Sequence, residues 1–374
     1  MTRVLAIGMF DSVHFARWLA QFQDQPIDFL LFPSSPHRRI HKKLSDLLIG
    51  SSSAKYSLAR LTRLTGLPLW ILDKLLDNKL RGYLVRRTVR RFKPHYVHAL
   101  ELQNAGYVAL AALEGNKPEG LDLIITNYGS DIYWFRKFPK HLSKIKRLLD
   151  IADYYACECE RDVQIAKEIG FKGEVKPVRP NAGGFNKEIL EQNLLPAPKR
   201  RIIAIKGYHG WVGRAHVAIE ALKLIEPSLQ DYEIVFYSCN ASTIRLAKAI
   251  ARETGLKIST HGKGTLSHSQ MLDLFGQSAI YVGLSESDGI STSLLEAMAM
   301  GAVPVQTSTA CCDEWFSEDS GVSVREISPE VVAQSIIRAL ALSKNEFAVV
   351  KNRETIRKKA NEEYVREAAL TYYL

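Results

Sequence analysis

The sequence predicts an α/β protein of two domains with parallel sheets, and three observations carry that expectation. Short apolar runs alternate with amphipathic helical patterns almost throughout, as βαβ units require. The 374 residues exceed one ordinary domain and suit two. A basic run punctuated by Pro196 and Pro198, residues 194–201, interrupts the alternation before a second series begins. With 46% hydrophobic and 24% charged residues the chain can bury sizeable cores, which excludes bulk disorder and a single small binding module.

The elements follow in order. The first series has strand patterns at residues 4–8, 27–32, 95–98, 121–126, 154–157 and 174–178. Helical patterns fall between them, at 12–22, within 53–92, and near 102–113, 142–149 and 161–169. Residues 194–201 read as the linker. The second series has strands at 202–207, 233–237, 257–259, 280–283 and 303–305, with a helix at 215–224. The last residues show Ile356, Ala360, Tyr364, Ala368 and Tyr372 four apart, one apolar helix stripe that packs on its own domain or crosses back to the first. The domains so drawn are 1–195, 196–355 and a C-terminal helix over 356–374.

Composition narrows the function classes. The opening Met1-Thr2-Arg3-Val4-Leu5-Ala6-Ile7-Gly8 is too short for a secretory apolar region and reads as a strand, and no run is long enough to span a membrane, so a cytoplasmic protein is expected. Cys157, Cys159, Cys239, Cys311 and Cys312 are odd in number and lack paired spacing, which argues against a disulfide framework and a zinc site. The net charge of +10 is localised: residues 1–100 hold 17 Lys and Arg against 6 Asp and Glu. A basic first domain suits nucleic acid, an anionic membrane or a phosphorylated substrate.

The most informative segment runs from Ser285 to Gly301 between two strand patterns. Asp288 lies on a loop of small residues and Glu296 eight positions on, in a helix. Gly289 to Ser293 leave room for an anion at the helix start, where backbone N–H groups and the helix dipole favour a phosphate. Two acids around such a pocket suit a ligand with hydroxyls on both sides of a diphosphate. The same residues also read structurally, with Ser293-x-x-Glu296 as a capping box and Gly301 as a helix stop. A second phosphate cradle in form is residues 202–214, where a strand meets a glycine-punctuated loop carrying Lys206 and Arg214, without the P-loop consensus.

The first segment closely resembles the acid-x7-acid signature of retaining GT-B glycosyltransferases, the glycogen-synthase-like group known as family 4. Its usual form is Glu-Gly-Phe-Gly-x-x-x-Leu-Glu-Ala-Met-Ala-x-Gly. The resemblance implies the GT-B fold, two Rossmann-like domains facing each other across a cleft. It implies that Asp288 contacts donor-sugar hydroxyls, that Gly289, Ile290 and Ser291 present the sugar-facing backbone, and that Leu295 and Glu296 follow on the helix, Glu296 binding the nucleotide ribose. Asp288 departs from the usual Glu, and Glu286 is placed to share its task. Lys206 and Arg214 take the family's place at the leaving diphosphate. His261-Gly262-Lys263-Gly264 resembles the base-binding loop, with Gly262 and Lys263 as contacts or as a plain turn.

In the first half, the loop Gly8 to His14 resembles the family's first loop, and His14 is a candidate for positioning an acceptor hydroxyl or phosphate. His98 with Glu101, and Asp131 or Asn127 in Thr126-Asn127-Tyr128-Gly129-Ser130-Asp131, are further candidates on the acceptor side, each with burial as its bland counterpart. Pro180-Asn181-Ala182-Gly183 resembles the interdomain hinge. No Asp-x-Asp occurs, so metal-independent chemistry with no cofactor beyond the nucleotide-sugar donor is expected.

Finally, Leu69, Leu72, Leu76, Leu80 and Tyr83 lie at helical spacing, Lys74, Lys79 and Arg81 fall elsewhere, and Arg86, Arg87, Arg90 and Arg91 follow. This is either a basic amphipathic helix for an anionic membrane surface or a core-facing helix with a solvated basic face. Nucleic acid is disfavoured, since no aromatic-interleaved recognition motif accompanies the charge. The expected function is retaining transfer of a sugar to a saccharide or lipid-linked saccharide in bacterial cell-surface polysaccharide or lipopolysaccharide assembly, with possible peripheral placement at the inner membrane face. The competing readings are a catalytically inactive, membrane-associated partner or scaffold, and a GT-B enzyme of other chemistry such as an epimerase.

Overall fold

Every strand pairing among the described residues is parallel, as a chain of βαβ crossovers demands. The computed structural model describes residues 1–37, 39–59, 67–181 and 183–374. They form two units, Met1–Gly184 with Val365–Leu374, and Phe185–Tyr364.

The first unit runs β1 (Thr2–Gly8), α1 (Val13–Ala20), β2 (Ile27–Pro33), α2 (Lys42–Ile49), β3 (Lys55–Leu58), α3 (Leu67–Leu75) and α4 (Lys79–Phe92). It continues with β4 (Tyr96–Leu100), α5 (Tyr107–Leu113), β5 (Asp122–Thr126), α6 (Pro139–Ile151), β6 (Tyr154–Ala156), α7 (Glu160–Ile169) and β7 (Glu174–Val175). Its sheet has the order β3-β2-β1-β4-β5-β6-β7. Apolar clusters cover it, one on Leu5, Ile7, Val97 and Ile125, the other on Val4, Ala6, Phe29 and Ile124. These alternate along the strands, so both faces are buried.

The second unit contains α8 (Lys187–Glu191), β8 (Ile202–Lys206), α9 (Ala215–Leu224), β9 (Glu233–Cys239), α10 (Ala241–Thr254), β10 (Lys257–Gly262), α11 (His268–Gln277) and β11 (Ser278–Gly283). It ends with α12 (Thr292–Ala299), β12 (Val303–Thr307), β13 (Val322–Val324), α13 (Pro329–Leu342) and α14 (Glu346–Lys359); α15 (Glu362–Leu370) runs out of it. The sheet order is β10-β9-β8-β11-β12-β13. All residues of β11 and β12 are buried, as central strands covered on both faces should be. Strand order reverses at β1/β4 and at β8/β11, the switch points where open α/β sheets place ligands.

Four expectations change. The region read as helical from residue 53 begins instead with β3, a four-residue edge strand alternating exposed and half-buried, too short and polar to read as a strand. Residues 194–201 do not link the two units but lie within the second, where Arg200 is buried and donates to the carbonyls of Leu195 (2.8 Å), Ser278 (3.3 Å) and Met300 (3.1 Å). The chain enters the second unit earlier, at Phe185, and Ala182 of the expected hinge lies outside the described residues. The stripe from Ile356 to Tyr372 is split between α14 and α15, because Phe185 accepts the Glu362 amide (2.9 Å) and donates to the Ala360 carbonyl (2.8 Å) at the break. Ile356 and Ala360 join the core of the second unit, whereas Ala369, Tyr372 and Tyr373 join that of the first. The last ten residues therefore return to the first unit.

The fourth change concerns the basic amphipathic stretch. Leu72, Leu76, Leu80 and Tyr83 are exposed, whereas Arg81 is buried against Asp73. The described residues of that stripe do not face the core; α4 faces it instead through Gly82, Val85 and Val89, with Arg87, Arg90 and Arg91 solvated on the other side. The side chain of Leu69 lies outside the described residues. No helix among the described residues is long and apolar enough to cross a membrane, and all five cysteines are buried and unbridged.

Candidate active site

The second unit builds its site at the β8/β11 switch point. After β8 the chain passes so close to β9 that a Cβ at Gly207 would lie 2.4 Å from the Cys239 sulfur and 2.8 Å from the Tyr237 carbonyl oxygen. At Gly213 a Cβ would meet Tyr208 at 2.3 Å. Only glycine fits this tight return into α9, which begins just after Arg214. The loop after β11 is stitched to it. The Arg214 amide donates to the Leu284 carbonyl (3.1 Å), the Glu286 amide donates to that of Trp211 (2.9 Å), and the guanidinium of Arg214 pairs with the Glu286 carboxylate.

Beyond Glu286 the loop turns towards α12. The Asp288 amide donates to the Thr309 carbonyl (3.3 Å), and its carboxylate accepts the Gly289 amide (2.9 Å). Gly289, Ile290 and Ser291 are buried and bring the chain to the helix. Ser291 is the N-cap, yet its side chain makes no capping bond; Lys206 Nζ donates to its Oγ instead (3.3 Å). The ammonium of Lys206 also lies 5.0 Å from the centre of the Tyr208 ring. Burial and the charge of Asp288 raise the Tyr208 phenol above its ordinary range. One cation therefore stands at the open N-terminus of α12, where the helix dipole adds positive potential.

Glu296 lies in the second turn of α12, largely buried, with Leu295 packed in the core. The capping-box reading of Ser293 and Glu296 does not hold, because the cap is Ser291 and Glu296 falls five positions beyond it. Its Oε1 lies 2.9 Å from His268 Nε2. Sequence reading missed His268, although its signal was present: Ser267 and Gln270 form a capping box that fixes His268 at the first position of α11. Gly262 and Lys263 form the turn that ends edge strand β10, two strands from β8. Thr265 donates to the Gly262 carbonyl through its amide (3.2 Å) and hydroxyl (2.9 Å), and the Lys263 side chain is exposed.

The first unit collects the other candidates near the ends of β1, β4 and β5. His14 is exposed in the first turn of α1, its amide donating to the N-cap hydroxyl of Ser12 (3.2 Å) and its ring 6.3 Å from that of Tyr128. Asp131 is engaged with the backbone: Oδ2 accepts the amides of Leu102 (2.8 Å) and Tyr128 (3.1 Å), fixing two loops. Glu101 sits at φ +90°, a strained value for a non-glycine residue, and its carboxylate accepts the amides of Asn104 (3.0 Å) and Ala105 (2.6 Å). Burial raises both carboxyls, and the charge of Glu101 raises Asp131 further.

His98 requires a correction. It is fully buried, with Nε2 2.6 Å from Thr126 Oγ1 and Nδ1 bonded to the Tyr373 hydroxyl, while Trp18 packs edge-on against the ring at 5.4 Å. Burial, with Arg179 adding repulsion, pushes its pKa down to about 3. A histidine so enclosed packs the core and offers no surface to a ligand.

The structure thus brings Lys206, Arg214, Asp288, Ser291 and Glu296 to one end of the second sheet, and adds His268 and Glu286. Residues 186–363 match the family model described as Glycosyl transferases group 1. No curated protein matches the chain by sequence. Among solved structures the chain is similar to a sucrose-phosphate synthase from Thermosynechococcus elongatus, with 14% identity, a TM-score of 0.73, and 100% of this chain and 98% of the other covered. It is similar to a UDP-forming alpha,alpha-trehalose-phosphate synthase from Burkholderia xenovorans, with 13% identity, TM-score 0.69 and coverage of 99% and 98%. It is also similar to Anabaena HepE in complex with UDP-glucose, with 11% identity, TM-score 0.66 and coverage of 100% and 99%. The second unit is therefore similar to the family Glycosyl transferases group 1 over somewhat less than half of the chain, and the chain as a whole has the GT-B fold of two Rossmann-like units.

Proposed function

We propose that this protein is a retaining, metal-independent glycosyltransferase that moves a sugar from a nucleotide-diphosphate donor to a saccharide or lipid-linked saccharide acceptor. The observation that carries the reading is the convergence of Lys206 and the uncapped N-terminus of α12 at the β8/β11 switch point, with Glu296 in the next turn. A donor diphosphate set there meets the α12 amides and the Lys206 ammonium. Arg214, held at the start of α9 by Glu286, adds a second cation. Together they offset the charge that develops on the leaving diphosphate, the task a metal performs elsewhere. Glu296 accepts hydrogen bonds from the ribose hydroxyls, and Asp288 with the Gly289–Ser291 backbone contacts the donor sugar.

The acceptor falls to the first unit, where His14 is the exposed candidate and Asp131 shapes the adjoining loops. The excess of basic residues in residues 1–100 favours an anionic or lipid-linked acceptor, as in bacterial cell-surface polysaccharide or lipopolysaccharide assembly. The test is incubation with a panel of uridine- and guanosine-diphosphate sugars, with and without EDTA, read by anomer-resolved NMR. Retained configuration and turnover undiminished by EDTA are expected. Inverted product, or an absolute need for a divalent cation, defeats the proposed mechanism. Donor binding with neither transfer nor hydrolysis, unchanged in Asp288→Ala, favours the scaffold.

A further inference from the structure

We propose that the exposed faces of α3 and α4 form a docking surface for an anionic lipid bilayer. Ile71, Leu72, Leu75, Leu76, Leu80 and Tyr83 are between 38% and 80% exposed. So many large apolar side chains within residues 71–83 exceed the isolated exposures of an ordinary surface. They follow one another around the α3–α4 corner: adjacent turns of α3 carry Ile71, Leu72 and Leu75, Leu76 begins the turn between the helices, and Leu80 and Tyr83 lie on the side of α4 away from its buried residues. The opposite face of α4 packs on α5, where a Cβ added at Gly82 would lie 2.8 Å from that of Ala111.

Charge continues the same face. Arg87, Arg90 and Arg91 are exposed and lie one to three turns beyond Leu80 and Tyr83. Arg86 does not belong with them, since its guanidinium donates to the carbonyls of Ala112 (3.1 Å) and Ala111 (3.2 Å) and ties α4 to α5. Acids do not cancel this charge: of the two in residues 67–93, Asp73 is buried with Arg81 and Asp77 pairs with Lys144. The buried Asp73–Arg81 pair also links α3 to α4, so the apolar side chains and the arginines are presented by one braced corner.

A bilayer of anionic lipid satisfies both halves of this surface. The leucines and the tyrosine ring enter the boundary between headgroups and acyl chains, and the arginines meet lipid phosphates. A soluble polyanion would leave the leucines in water. A second copy of the chain would bring like charges within a Debye length of one another.

The test needs no donor or acceptor and so stands apart from the transferase reading. The full chain is cosedimented with vesicles of mixed phosphatidylglycerol and phosphatidylcholine, and with phosphatidylcholine alone. Binding is expected to the mixed vesicles and to weaken with salt. Changing Arg87, Arg90 and Arg91 together to Gln should lower partitioning by roughly a hundredfold, from about 1 kcal/mol per basic residue near such a surface. Leu72→Asn with Leu75→Asn and Leu76→Asn should abolish binding at physiological salt while leaving the circular-dichroism melt unchanged, since these side chains are already exposed. Failure of the parent to bind mixed vesicles at low salt overturns the proposal, as does binding by both folded variants equal to the parent's. Sedimentation velocity supplies the remaining outcome: a dimer dispersed by the leucine substitutions assigns the face to a second copy instead.

Discussion

The imidazole Nε2 of His268 lies 2.9 Å from Oε1 of Glu296, joining the first position of α11 to the second turn of α12. Glu296 is nearly buried, so a donor on one oxygen fixes which way its carboxylate faces. If Glu296 receives the donor ribose, His268 is a positioning residue for it. His268→Ala should raise the donor KM about five- to tenfold with kcat nearly unchanged, the size of one ordinary net hydrogen bond, because His268 acts on the donor only through Glu296. His268→Gln, which keeps a donor, should recover part of the loss. Equal falls in kcat and kcat/KM would place His268 in the chemistry instead.

Removing the proposed ribose acid or the proposed diphosphate cations is a harsher change. Glu296→Ala, Arg214→Ala and Lys206→Ala should each lower transfer by more than about tenfold, since truncating one partner of a desolvated charge contact costs about 2–5 kcal/mol. Arg214→Ala also releases Glu286 beside the site, so Glu286→Gln is the control that separates lost cation from freed anion. Thermal shifts with nucleoside diphosphates check that each variant folds. Folded variants with near-normal transfer would remove these residues from the donor site.

The parallel α/β architecture and the two loops that meet at the β8/β11 switch point are legible because they rest on local signals: apolar runs, glycine punctuation and the Asp288 to Glu296 spacing. What escaped depends on residues far apart in the chain. His98 looked like a strand-end ligand, but its enclosure comes from Tyr373, 275 residues away. Arg81 falls off the apolar stripe like the other basic residues, and nothing local marks it or Asp73 as buried until α3 and α4 fold together. The run around Arg200 has the composition of a linker, and nothing local tells that Arg200 itself is buried, with the carbonyls of Ser278 and Met300 as partners far along the chain. β3 was too short and too exposed to leave a pattern.

Burial of His98 predicts acid sensitivity of the first unit. With the folded pKa down at about 3 against an ordinary 6.5, the unfolded chain binds the proton first as pH falls. The stabilisation is complete above pH 6.5 and is lost between there and about 3, on the order of 4 kcal/mol over the whole window. Denaturant unfolding of His98→Gln against the parent, followed from neutral to acid pH, should show a weaker dependence in the variant. Parallel curves would mean that His98 does not carry this acid sensitivity.

The pair that braces α3 and α4 makes the last prediction. Asp73 and Arg81 are both almost wholly buried, and Arg81 also donates to Asn78 Oδ1 (3.0 Å) and to the Ser34 carbonyl. Asp73→Ala leaves a guanidinium in a low-dielectric site without its counter-charge and should destabilise the first unit by about 3–5 kcal/mol. Replacing both partners with apolar residues, Asp73→Leu with Arg81→Met, removes the buried charge along with the attraction. That double variant should therefore unfold much nearer the parent than Asp73→Ala does. Two outcomes of denaturant titration count against this account: an Asp73→Ala midpoint equal to the parent's, or a double variant no more stable than the single one. The first would mean that water or neighbouring carbonyls satisfy Arg81 without Asp73, and the second that the cost lies in lost packing and hydrogen bonds rather than in an unpaired charge.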